Sequence, residues 1–264
     1  MIFGINSSGW AKDWSLDALI EHVLANELLA LELQMGTAHG ITTELEKPER
    51  EAVREKLSGL PLDMLGLATD ERLDGDDAAR KAAVERIRQV MKLSHDIGGF
   101  GVKIGARDLP QVGRRAAIAG IAKTTRELAD FAQGWGQQVR LELTGDCADP
   151  ETALAIFKAI DHLNVRLCWA SQPGDVSERG VKRDLKTLNE HLGETVYVGR
   201  LDDDRYPYFD LLTQLRDAGY HHWVLLRTEG EAPADVGEAI AQQRRLFRRI
   251  TKGEPSLDRQ LDRR

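Results

Sequence analysis

Short apolar runs of four to six residues alternate with longer stretches of helical period along this chain, eight times over. The first run, IFGIN at 2–6, is followed by Ser15, a good N-cap before LDALIEHVL. Residues 29–33 read as the second strand, and the charged segment around 49–57 as its helix, stopped by Gly59. LDMLGLA at 62–68 reads as the third strand. The helix after it, over about 77–95, keeps Val84, Ile87 and Met91 on one side and ends at Gly98 and Gly99. FGVKIG at 100–105 is the fourth strand, a long helix covers about 113–133, and QVRLELT at 138–144 is the fifth strand. Pro150 stands in the first turn of the next helix, where its missing N–H costs nothing. NVRLCW at 164–169, TVYVG at 195–199 and HWVLLR at 222–227 complete the strands, and a last helix covers about 234–250.

Strands that alternate with helices run parallel, and parallel strands must be covered on both faces. Eight such units with no change of composition between them predict a single (β/α)8 barrel over residues 1–250, followed by a loose polar tail at 251–264. The alternative is a doubly wound open sheet, which usually carries a glycine-rich phosphate turn after its first strand. The turn here, NSSGWAKD at 6–13, lacks that spacing and favours the barrel. Barrel chemistry sits at the C-terminal ends of the strands, so the pocket is expected there.

Composition narrows the partners. A chain of 264 residues with 42% hydrophobic content can bury one large core, and 30% charged residues suit a solvated ring of helices. A net charge of −7 with no basic block argues against nucleic acid, whose phosphates need a basic surface. Two cysteines, Cys147 and Cys168, make no disulfide framework and point to a reducing compartment. No apolar run approaches 18 residues and no basic leader opens the chain, so neither a membrane span nor a signal peptide is expected, and the expected location is cytoplasmic.

Side chains alternate along a strand, one parity facing the barrel axis and the other the helices. In the fifth strand Val139, Leu141 and Leu143 are apolar, so Arg140, Glu142 and Thr144 face inward. The same test turns Glu32 and Gln34, Lys103 and Gly105, Arg166, Cys168 and Ala170, and Arg227 and Glu229 inward. Barrel interiors are usually filled by branched apolar residues, and charge there is costly unless it is paired or binds something. Arg140 and Arg166, deeper in their strands, read as members of an internal salt-bridge layer. Glu142, Lys103, Arg227 and Glu229, at C-terminal strand ends, read as ligand-facing. The loops beyond the strands add Thr69, Asp70, Glu71 and Arg72, then Arg107 and Asp108, then Ser171 and Gln172. Trp169 is either a stacking platform for a sugar ring or a packed core aromatic. Asp202, Asp203 and Asp204 suggest a metal cluster at first sight, but three consecutive residues cannot all aim at one ion, and a solvated loop is the expectation.

With the strand ends placed, the chain resembles the xylose-isomerase-like TIM barrels of the sugar phosphate isomerase/epimerase group, within the endonuclease IV-like superfamily. The likeness runs from about 65 to 250 and is carried by LATDERLDGDD, LSHDIGGFGVKIGARDLP, GQQVRLELTG, NVRLCWASQ and GYHHWVLLRTEG, taken in order. The resemblance implies a divalent metal (Mg, Mn or Zn) held by a Glu ending strand five, an Asp or Asn ending strand six, a His or Gln of strand seven and a Glu ending strand eight. The metal polarises a hydroxy-carbonyl unit while carboxylates shuttle a proton between adjacent carbons. Glu142 stands at the first of these positions. The others hold Ala170, then Tyr197 or Gly199, then Arg227, with Glu229 keeping the parity of the last. A guanidinium where a ligand is expected repels an ion and pairs more readily with Glu142, so the chain reads as a divergent member.

The implied function is a sugar or sugar-phosphate isomerase or epimerase. Its expected catalytic residues are Glu142 as acid/base, Lys103 for charge stabilisation and Glu229 as a second carboxylate. Arg227, Trp169, Gln172, Arg107 and Glu32 are the expected substrate-binding residues, with Glu142 the retained metal ligand. Two alternatives stay open: a non-catalytic, metal-free barrel that binds a sugar acid or sugar phosphate through Arg227 and Lys103, and an assembly subunit. The implied partner is a small sugar-like molecule, and relatives of this kind often form homo-oligomers. His95, in a last helical turn, and the pair His221–His222, at the end remote from the pocket, read as structural. Cys168 reads as a small buried thiol. The P-loop, the G-x-S-x-G elbow and HExxH do not occur.

Overall fold

The computed structural model of the protein describes residues 1–172, 174 and 176–253. Eight parallel strands close on themselves in sequence order. They are β1 (Ile2–Asn6), β2 (Ala30–Gln34), β3 (Asp63–Arg72), β4 (Gly101–Ala106), β5 (Gln138–Leu143), β6 (Val165–Trp169), β7 (Leu192–Val198) and β8 (Trp223–Leu226). The helices that follow them in turn are α1 (Leu16–Ala25), α2 (Lys47–Ser58), α3 (Asp77–Asp96), α4 (Arg114–Gly134), α5 (Pro150–Ile160), α6 (Val181–Leu188), α7 (Tyr208–Asp217) and α8 (Val236–Thr251). The fold is a (β/α)8 TIM barrel, as the alternation predicts, and the open sheet is set aside. Most of the expected tail, 254–264, lies outside the described residues.

Local chemistry sets the helix starts. Ser15, Asp76, Asp149 and Asp235 each accept a backbone N–H of the first turn through the side chain, so a donor the helix cannot satisfy is satisfied by its cap. Glu46 and Glu49 form a reciprocal box at the head of α2.

Two apolar zones result. The main core fills the ring between strands and helices, with Leu33, Leu67, Val102, Leu141, Leu167 and Val196 among its strand residues. A smaller cluster of Ala30, Leu65, Cys168, Tyr197 and Leu225 lies inside the barrel, against Ile2, Phe100 and Trp223 at the strand starts. Strict alternation breaks twice in β3, at Gly66 and again between Ala68 and Arg72. Its register against β2 shifts after Leu31, and Gly66, at φ 124°, lies so close to β4 that a Cβ would stand 2.1 Å from the Gly101 carbonyl oxygen. A residue with a side chain has no room there. The shift puts Leu65 inside and Leu67 outside. Beyond the second irregularity β3 runs past the expected end at 68, with Arg72 beside Gly105 and the Leu73 N–H donating to the Gly105 carbonyl at 2.9 Å. Among the described residues no helix is long and apolar enough to cross a membrane.

Candidate functional site

The inward parity of β4 and β5 brings Lys103 and Glu142 together at the C-terminal mouth, and Arg227, just past β8, reaches the same point. Lys103 Nζ lies 3.1 Å from Glu142 Oε2 and donates to the Thr69 carbonyl at 2.8 Å. Arg227 Nη2 donates to Glu142 Oε1. The guanidinium lies over the ring of Tyr197, 4.1 Å from its centre, where the negative face of the ring favours a cation. All three charges are largely buried, with side-chain exposures of 6% for Lys103, 8% for Glu142 and 16% for Arg227. Burial pushes the Glu142 carboxyl up, but Arg227 and then Lys103 outweigh it and hold the group at about 2. Burial likewise pulls Arg227 down, and the carboxylate beneath it more than restores its charge. The site is therefore a fixed arrangement of two cations on one anion.

Above this floor opens a cleft of about 660 Å³. Lys12 and Asp13, from the segment after β1, and Gln34 and Asp70, joined by a 3.0 Å hydrogen bond, line one part of it. Arg107, Gln172 and Glu229 also line it, so these three expected residues share one space with Lys103, Glu142 and Arg227. Arg107 and Glu229 are exposed and Gln172 is half-buried. Lys12 and Asp13 were missed in the sequence. Their polarity on the C-terminal side of the first strand was the available signal.

Beneath the mouth lies a second charged layer. Arg140 Nη1 and Glu32 Oε1 approach to 2.8 Å, as an ionic contact rather than an aligned hydrogen bond, and their side chains are 1% and 0% exposed. Arg140 Nη2 donates to the Gly101 carbonyl at 3.0 Å. Glu32 Oε2 accepts from Asn6 Nδ2 at 2.6 Å and from the Tyr197 hydroxyl. Burial, and then the Glu32 charge, push the Tyr197 phenol well above its usual range, so it stays protonated and donates.

Three expectations need correction. Glu32 is not on the cleft: it faces inward, but deep enough in the barrel that Arg140, Asn6 and Tyr197 enclose it. Trp169 is not a stacking platform. It alternates with inward Cys168 and therefore points to the helices, where its Nε1–H donates to the Tyr206 hydroxyl at 3.1 Å within the main core. Arg166 does not join the internal ion pairs, because it sits near the barrel's N-terminal end, half-buried, with Nη1 on the Glu190 carbonyl. Elsewhere Asp202 is held by Arg200 and Gln243, and Asp203 by Arg205, as a solvated loop requires. Cys168 is enclosed beside Glu142 and Glu32, and burial pushes its thiol far up, which makes it unreactive.

The mouth does not suit a divalent ion. Among the described residues no three His, Cys, Asp or Glu side chains gather into a metal-holding group. Glu142 is already shared between two cations, the Tyr197 hydroxyl is committed to Glu32, and Ala170 and Gly199 offer no side-chain donor. A metal needs several oxygen or nitrogen ligands and no fixed positive charge among them.

Comparison with known proteins gives a consistent picture. The profile of the xylose isomerase-like TIM barrel family matches residues 27–171. No curated protein matches the chain by sequence. Among solved structures, an L-ribulose 3-epimerase superposes with a TM-score of 0.76 at 17% identity, over 96% of this chain and 95% of that one. A D-psicose 3-epimerase studied with D-fructose gives 0.77 at 18%, over 96% and 100%. The 3-keto-D-glucoside 4-epimerase of E. coli gives 0.76 at 14%, over 94% and 99%. At such identities the likeness is one of fold.

Proposed function

Because the chain belongs to the xylose isomerase-like TIM barrel family, we propose that it takes a small sugar or sugar derivative into the mouth cleft and acts on it as an isomerase or epimerase. The observation that carries this reading is the convergence of Lys103 and Arg227 on Glu142 at the cleft floor. The sugar 3-epimerases and the 4-epimerase that share the fold support the reaction class.

Moving a proton between adjacent carbons of a hydroxy-carbonyl unit places negative charge on oxygen in the transition state, and that charge must meet a positive group already in place. Lys103 and Arg227 supply it without a metal. Glu142 then acts as the anchor that holds both cations, because a carboxylate kept ionised down to about 2 is a weak base. The proton passes to a carboxylate with less to hold it. Glu229 lines the cleft, is exposed, and forms no ion pair or hydrogen bond among the described residues.

Incubation with a panel of ketoses and aldoses in D2O tests the proposal. Deuterium should enter at the carbon next to the carbonyl, and Arg227→Leu should slow that exchange about 10²–10³-fold, the scale of losing one preorganised charge stabiliser. Glu229→Gln should stop it while the protein remains folded. Exchange into none of the sugars would sink the reading.

A further inference from the structure

We infer that the ligand of the mouth cleft carries a carboxylate, received by Arg227 and Lys103, so that the substrate is a sugar acid rather than a neutral sugar. The inference rests on the proposal that this cleft is the sugar site, and with an acid bound the two cations hold its carboxylate in place of the reacting oxygen.

The charge at the floor does not balance. Lys103 and Arg227 face a single anion, Glu142, and neither cation has another carboxylate within ion-pair distance among the described residues. One positive charge is left over in a largely buried place, where uncompensated charge is costly. Donors are left over too. Lys103 Nζ spends its protons on the Thr69 carbonyl and Glu142, which leaves one. Arg227 gives one nitrogen to Glu142, and its other guanidinium N–H groups meet no acceptor among the described residues. Both side chains line the cleft, so an anion entering it finds these donors.

The surplus fits a carboxylate better than a phosphate. One extra positive charge matches one negative charge, and the guanidinium fork pairs with two carboxylate oxygens. Higher in the cleft stand the carboxylates Asp13, Asp70 and Glu229 with Lys12, while Arg107 is already paired with Asp108, Arg72 with Asp74 and Glu71 with Arg86. That wall is net negative and disfavours a dianion.

Titration calorimetry of the whole protein tests this with D-galacturonate, D-glucuronate and D-gluconate against D-galactose, D-glucose and D-fructose, with D-galactose 6-phosphate as a further arm. At least one acid should bind about 10- to 100-fold tighter than its neutral counterpart, the scale of a charge-assisted pair. The preference should shrink with added salt, vanish in Arg227→Leu and weaken in Arg227→Lys, which keeps the charge and loses the fork. Neutral sugars that bind as tightly as the acids would overturn the carboxylate and leave the sugar site standing. A phosphate ester that binds tighter than the matched acid would also overturn it. If no sugar of any class binds the unaltered protein, the site and the inference fall together.

Discussion

Two layers of buried charge stack along the barrel axis, and their difference lies in what each leaves unmatched. In the deep layer Arg140 meets Glu32, and Asn6 and Tyr197 take up the second oxygen of the carboxylate. One cation faces one anion, with side chains 1% and 0% exposed. In the mouth layer two cations share one carboxylate and the side chains are 6–16% exposed. Tyr197 belongs to both, with its hydroxyl on Glu32 and its ring beneath Arg227. The same pair of residue types is therefore closed structure in one place and an open site in the other. Charge balance and access separate the two roles, and residue identity does not.

The sharpest way to break this comparison is to unpair the deep layer. Arg140→Leu leaves Glu32 buried without its partner and should cost about 3–5 kcal/mol in urea unfolding, while Glu32→Leu together with Arg140→Leu should recover most of the loss. A single variant as stable as the unaltered protein would mean that the layer is not sealed.

Acid acts next, and on the mouth. The Glu142 carboxyl is held at about 2 against an ordinary 4.5. A lowered folded-state value adds stability above 4.5 and loses it as pH falls toward 2, with a size on the order of 3 kcal/mol. The stability gap between the unaltered protein and Glu142→Gln should therefore narrow across that window. A gap of constant width from pH 6 to 2 would contradict the clamp on this carboxylate.

Trp169→Phe should cost about 1 kcal/mol for the hydrogen bond lost to Tyr206. Sugar affinity should be unchanged in this variant, since the indole faces the helices. A tenfold loss of affinity would place it on the cleft after all. The smallest effect is expected from metal removal. Dialysis against EDTA, or addition of Mn²⁺, should leave Tm where it was. A drop of several degrees that Mn²⁺ reverses would show that the mouth holds an ion despite its cations.

Much of this was legible in the chain. The period of the apolar runs was enough for the barrel, and the inward parity of Lys103, Glu142 and Arg227 was enough to aim them at a common axis. Trp169 was legible too, since it alternates with Cys168, but its size invited a sugar-stacking reading. Glu32 and Arg166 were misjudged for a different reason. Parity says which face a side chain takes and nothing about its height along the axis, and in a barrel that height follows from strand tilt and stagger. The shift at Gly66 is of the same kind, because a local break in β3 changes which residues face inward.

The order of apolar and polar residues thus determined that this chain forms a ring of eight strands with charge inside it, because side-chain direction is a local property of the backbone. Only the closed ring decided which charges meet: Glu142 with two cations at the mouth, Glu32 with Arg140 below. Those partners come from strands far apart in sequence, and their distances exist only once the strands are staggered around one axis.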